Sequence, residues 1–154
     1  MPKIDMAKAA LRKASVYPAE FQQAVRGRER SVLGDVARLS QFGVNLTRLK
    51  PGAASALRHW HEREDEFVYI LEGEVVLIED GGETLLRAGE AAGFKAGVAD
   101  GHCLVNRSSR EALYLEIGTR AERERVHYSD VDLELVREET GALTFTHKSG
   151  EPYP

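Results

Sequence analysis

The stretch PGAASALRHWHEREDEFVYILEG, Pro51 to Gly73, decides how this chain is read. His59 and His61 sit two apart, and on a strand they point to one face because side chains alternate with period two. Glu66 opens an alternating run that closes at Glu72, and Gly73 stops it. Residues 92–106 read AGFKAGVADGHCLVN and supply a third imidazole, His102. Three imidazoles and a carboxylate make a metal-ligand set wherever their strands converge. A small closed barrel brings separate strands to one interior point.

Outward from this stretch the pattern is one of short strands. Val44 to Lys50 alternates and Pro51-Gly52 turns the chain. Ala56 to His61 and Glu66 to Glu72 read as strands joined by the charged loop Glu62 to Asp65. Val75 to Glu79, the hairpin turn Asp80-Gly81-Gly82, Thr84 to Arg87 and Ala91 to Phe94 follow. Cys103 to Asn106 and Glu111 to Thr119 form a further pair across Arg107 to Arg110. Such strands with glycine turns favour a sandwich or barrel, and no solenoid repeat is evident.

The flanks are less regular. Ile4, Ala7, Leu11 and Ala14 fall at helical spacing, which predicts a short helical arm over residues 3–15, ended by Tyr17-Pro18. Residues 19–42 are mixed and punctuated by Gly27, Gly34 and Gly43. RAERERV, residues 120–126, is polar enough to cross the surface, and Leu143 to Thr146 is a last alternating stretch. The terminal strands have no assigned partner inside a compact barrel. Unpaired edges invite pairing, so a second subunit is expected to cover some of them, as a homodimer.

Composition narrows the function. At 154 residues, 42% apolar and 30% charged, the chain fits one domain with a real core. A net charge of −4, with both signs interspersed, gives no electrostatic reason to expect nucleic acid. No apolar run has the length of a signal peptide core or a membrane span, so a cytoplasmic protein without membrane association is expected. The single Cys103 excludes an intramolecular disulfide.

The two histidine clusters resemble the two motifs of the cupin superfamily. Gly52, His59, His61, Glu66 and Gly73 fit the first, with one residue more than usual between Gly52 and His59. Gly89, Gly97, His102 and Asn106 fit the second, with two departures. Lys95 stands where the family usually has proline, and four residues rather than two separate Gly97 from His102. The resemblance covers roughly Gly43 to Thr119 and is specific because the motif residues occur together and in order. It implies an all-β double-stranded β-helix (jelly-roll) barrel of the RmlC-like kind over 43–119. Residues 1–42 would be an N-terminal extension and 120–154 a C-terminal one, packed on the barrel or on a partner.

The resemblance further implies one divalent metal on His59, His61, Glu66 and His102, although four buried polar groups can also hydrogen-bond one another. Four protein ligands leave two positions open on a six-coordinate ion. Iron, manganese or nickel is therefore favoured for an enzyme, while zinc fits too but tends to be saturated by four ligands.

Alternation then places Val68 and Ile70 inside with Glu66, and Phe67, Tyr69 and Leu71 outside. Arg58 and Trp60 turn away from the histidines, and Leu104 and Asn106 share the face of His102 while Cys103 does not. Cys103 reads as a buried structural thiol, and His127 and His147 as surface or satisfied histidines. The expected cavity is apolar, lined by Leu57, Val68, Ile70, Leu104, Leu113 and Leu115, with few acids or bases beyond the ligands. Lys95 and Asp100 would sit at the barrel mouth or pair with each other.

Two functions stay open. One is a small dioxygenase- or isomerase-type metalloenzyme acting on an oxygenated metabolite chelated at the metal, with Glu66 as its catalytic proton carrier. The other is a non-catalytic barrel that binds or senses a small, sugar-like molecule.

Overall fold

The computed structural model describes residues 2–154. In chain order its first strands are β1 (Ala10–Arg12), β2 (Arg28–Val32), β3 (Phe42–Leu49), β4 (His59–His61), β5 (Glu66–Glu72) and β6 (Glu74–Glu79). There follow β7 (Gly82–Arg87), β8 (Ala91–Phe94), β9 (Cys103–Val105), β10 (Ala112–Thr119), β11 (Glu124–Tyr128), β12 (Glu134–Arg137) and β13 (Leu143–Thr146). They form three antiparallel sheets, ordered β1-β2-β3-β10-β5-β8, β13-β12-β11-β4 and β7-β6-β9. Among the described residues no helix is long and apolar enough to cross a membrane.

The strands from 43 to 119 follow their sequence periodicity. On β5, Val68 and Ile70 are buried while Phe67, Tyr69 and Leu71 are exposed. Leu49, Ile70, Val75, Leu77, Leu86 and Leu104 meet as the main apolar cluster. Each such burial stabilises by about 1.5–3 kcal/mol. Gly73 joins β5 to β6 with φ at 74°, and a Cβ there would come within 2.7 Å of the Glu111 carbonyl oxygen. Only glycine passes this close to β10 in that conformation.

Both flanks contribute more strand than their composition suggests. The helical stripe over residues 3–15 is realised as a single 3-10 turn, Met6–Lys8, followed by β1. A longer 3-10 segment comes later, at Ala19–Val25, and one α-helical turn, α1 (Leu33–Val36), precedes β3. The polar run 120–126 does not merely cross the surface, because its second half starts β11, whose Glu124 is 4% exposed. The terminal strands also find partners within the chain: β13 pairs with β12, β12 with β11, and β11 with β4. A second apolar cluster joins these flanks, with Tyr17 edge-on to Tyr128 and Phe145 and with Leu133 fully buried.

Candidate metal centre

The site is assembled by backbone pairing before any side chain is considered. β4 lies antiparallel to β11, with His59 opposite Tyr128 and His61 opposite Val126. On its other side His59 forms an isolated bridge with His102, just ahead of β9. Gly97 N–H donates to the His61 carbonyl at 2.8 Å and ties the loop before His102 to the same strand. The two extra residues of that loop are thus absorbed without displacing His102. On β5, Glu66 stands between Phe94 of β8 and Gly118 of β10.

Their side chains converge. His102 Nε2 lies 2.5 Å from Glu66 Oε2, His61 Nε2 3.2 Å from Glu66 Oε1, and His59 Nε2 3.6 Å from Glu66 Oε2. The ligand atoms of His59, His61 and Glu66 all fall within 4.8 Å of one another. Atoms bound about 2.1 Å from one ion lie roughly 3 Å apart, so these spacings suit a shared cation. The tautomer agrees: His59 Nδ1 faces the Leu57 carbonyl at 2.8 Å, where only an N–H is accommodated. That turns Nε2 towards Glu66, the orientation in which a neutral imidazole would share a cation with the carboxylate. Phe94 stacks on the His102 ring at 3.6 Å and 3°, fixing its plane, while His102 Nδ1 is buried without a partner.

Without an ion the cluster balances its own charge, Glu66 as carboxylate against a protonated His61 whose proton a metal would displace. Burial alone would raise the Glu66 carboxyl, but the hydrogen bonds of His102, His59 and His61 outweigh it and hold the group well below the usual carboxylate range. Burial opposes a charge on His61, yet its contacts with Glu124 and Glu66 push the imidazole up to about 10. His102 is pushed down, by burial first.

Two carboxylates behind His61 escaped the reading of the sequence. Glu64 Oε1 and Glu124 Oε2 lie 3.7 and 3.6 Å from His61 Nδ1, and both residues are buried. Glu124 also accepts from the backbone N–H groups of Arg63 and Arg125, and Glu64 accepts from Arg137 at 2.8 Å. Each sits in a run of charges that reads as solvated surface, so nothing in the local sequence singled them out.

The cavity differs from the apolar one expected. It holds about 410 Å³ and is lined by the donor set together with Tyr17, Arg28, Arg30, Asn45, Tyr114, Glu116 and Tyr128. Val68 and Leu104 do face it, but Leu57, Ile70, Leu113 and Leu115 do not. On β10 it is the Tyr114 and Glu116 face that turns inward, Tyr114 being fully buried. The chamber is lined by polar and apolar side chains together, so hydrophobicity picked the wrong face of that strand. A smaller recess of about 240 Å³ reaches His61, Glu66 and His102 from another side, past Lys95, Val98 and Asp100. Lys95 and Asp100 line this mouth and are not paired; Asp100 instead accepts from the Asp80 N–H at 2.8 Å.

The remaining singled-out residues are structural. Asn106 is fully buried, donates to the Leu49 and Arg110 carbonyls and accepts from Ser108. Cys103 is buried, and that burial pushes its thiol up to about 11. His127 stacks on Trp60 and meets Glu62 and Glu134; His147 stacks on Tyr153 and meets Asp132.

Comparison with known proteins agrees with this architecture. The family model described as Cupin domain matches residues 45–118. A sugar phosphate isomerase of the cupin superfamily from Silicibacter pomeroyi superposes with a TM-score of 0.94 at 45% identity, over 99% of this chain and 97% of that one. A candidate sugar phosphate isomerase from Acidithiobacillus ferrooxidans gives 0.74 at 28% identity, over 79% and 77% of the two chains. The polyketide cyclase RemF from Streptomyces resistomycificus, at 17% identity and 0.63 over 77% and 79%, shares the fold alone. No curated protein matches the chain. With its motif residues gathered on one side of a jelly-roll barrel and a relative this similar along nearly its whole length, the chain belongs to the cupin superfamily.

Proposed function

We propose that the protein is a metal-dependent isomerase of small sugar phosphates. The observation that carries this reading is the shared cavity of about 410 Å³, which places the donors of His59, His61, Glu66 and His102 and the guanidinium groups of Arg28 and Arg30 on one chamber. The volume falls in the range that encloses a metabolite-sized ligand. The 45% identity to a sugar phosphate isomerase supports it.

His59, His61, Glu66 and His102 would hold one divalent ion, which supplies Lewis-acid polarisation of a substrate carbonyl or hydroxyl oxygen. Isomerisation then moves a proton from a hydroxyl-bearing carbon to the adjacent carbonyl carbon, and a hydroxyl proton to the carbonyl oxygen. No electron acceptor is consumed. Glu66 would take the carbon-bound proton on loosening from the ion, being the carboxylate that faces this chamber beside the three imidazoles. Tyr128, pushed well above 10 by burial, stays protonated beside His59, its hydroxyl engaged with Tyr17 in the same chamber wall. Phe94 and Val68 keep the wall near Glu66 apolar and limit water there.

The test is NMR of a panel of aldose and ketose phosphates in deuterated water with iron-, manganese-, nickel- and zinc-loaded protein. Interconversion with deuterium incorporated next to the carbonyl, abolished by chelator and by Glu66→Gln, is expected. If every metal form leaves all the sugar phosphates unconverted and unexchanged, the isomerase reading is wrong.

A further inference from the structure

Arg28 is a buried cation without an anion of its own. It opens β2 opposite Leu49, is 8% exposed, and forms part of the wall of the cavity that holds the metal donors. Its Nη1 donates to the Ser55 carbonyl at 2.5 Å. Among the described residues no carboxylate pairs with it and its other guanidinium nitrogens have no partner. Arg30, two residues on and on the same face, is engaged by Glu116, whose Oε1 lies 2.9 Å from Arg30 Nε and also accepts from Asn45 at 2.9 Å. Two guanidinium groups against one carboxylate leave this wall with one positive charge unmatched. Burial, and then the neighbouring Arg30, push Arg28 down, as expected of a cation lacking a counter-ion. A charge held this way is costly unless something completes it. A planar fork of N–H donors matches the oxygens of a phosphate group.

We propose that Arg28 anchors the phosphate of the substrate, holding a phosphate monoester in the cavity so that the sugar oxygens reach the side of His59, His61, Glu66 and His102. The sugar end of this assignment rests on the isomerase reading; the anion end rests on Arg28 alone.

Isothermal titration of the metal-loaded protein with inorganic phosphate tests it, with metal content measured on the same samples. Phosphate affinity is expected to fall by about tenfold or more in Arg28→Met, as for loss of a charge-assisted hydrogen bond, and to recover in part in Arg28→Lys. Undiminished phosphate binding in Arg28→Met overturns the proposal. Glu116→Gln serves if Arg28→Met does not fold, because freeing Arg30 and removing a negative charge should tighten phosphate binding, which no folding defect does. Unchanged or weaker binding in Glu116→Gln counts against the anchor. Gluconate binding as tightly as phosphate, with the same dependence on Arg28, overturns the phosphate in favour of a carboxylate. The two readings fail separately. Arg28-dependent phosphate binding without turnover leaves the anchor and removes the isomerase; turnover equally fast on unphosphorylated sugars and indifferent to Arg28 does the reverse.

Discussion

His59 and His102 are joined through their backbones: each N–H donates to the other's carbonyl, at 3.1 and 2.9 Å, and their rings lie 4.8 Å apart. The face that carries the candidate ligands is therefore set by strand pairing, not by loops that must close on an ion. A metal-free protein should keep its fold. Circular dichroism of chelator-treated protein should show the same strand content, with a lower melting temperature because an ion bound only to the native state stabilises it by mass action. Loss of strand signal on chelation would mean that the ion builds the site.

Glu124 faces His61 Nδ1 at 3.6 Å, held there by the backbone N–H groups of Arg63 and Arg125, and a small approach would make it the hydrogen-bond partner that this buried nitrogen lacks. Glu124→Gln is expected to weaken metal binding by about 10–100-fold, the usual cost of losing such a partner to a ligating histidine. A competition titration with a chromogenic chelator reads it. Unchanged affinity would assign Glu124 to folding alone.

Asn106 belongs to stability, not to chemistry. Replacing it by alanine strips the Leu49 and Arg110 carbonyls of a buried donor and should cost about 1–3 kcal/mol for each group left unsatisfied. Denaturant unfolding should register this, while the folded fraction retains wild-type metal content.

Cys103 should be inert. Its thiol is pushed up by burial to about 11, so at pH 8 nearly all of it is protonated, and the thiolate is the reactive form. A disulfide reagent is expected to label it only after unfolding. Rapid labelling of the native protein would contradict the buried placement.

A homodimer is expected from the outer face of β5, where Phe67, Tyr69 and Leu71 are 42%, 39% and 39% exposed. Light scattering should give about twice 17.1 kDa, falling to the chain mass in Phe67→Glu. A wild-type monomer would end that expectation.

Between 43 and 119 the strands were legible because one side of each packs on apolar neighbours, and alternation there is written in Val68, Ile70, Leu77 and Leu104. The flanks were not, and the reason is physical. β2 reads RERSV and β11 reads ERVHY, so the residues they bury include Arg28 and Glu124, which the hydrophobic pattern assigns to solvent. The same cause misplaced β10, where the pattern put Leu113 and Leu115 inside and the chamber instead takes Tyr114 and Glu116. The four motif residues stood out because their chemistry is unusual at that spacing, and their side chains converge. Glu64 stayed hidden in a loop of mixed charges, its partner Arg137 being far along the chain.

The most direct measurement is elemental analysis of freshly purified protein beside His102→Ala and His147→Ala. His102 is one of four proposed ligands, whereas His147 lies against Asp132 and Tyr153. About one divalent ion per chain is expected in the wild type and in His147→Ala, with a marked loss in His102→Ala. Equal metal in all three proteins, or none in the wild type after growth with iron, manganese, nickel and zinc, would contradict a metal centre at these residues.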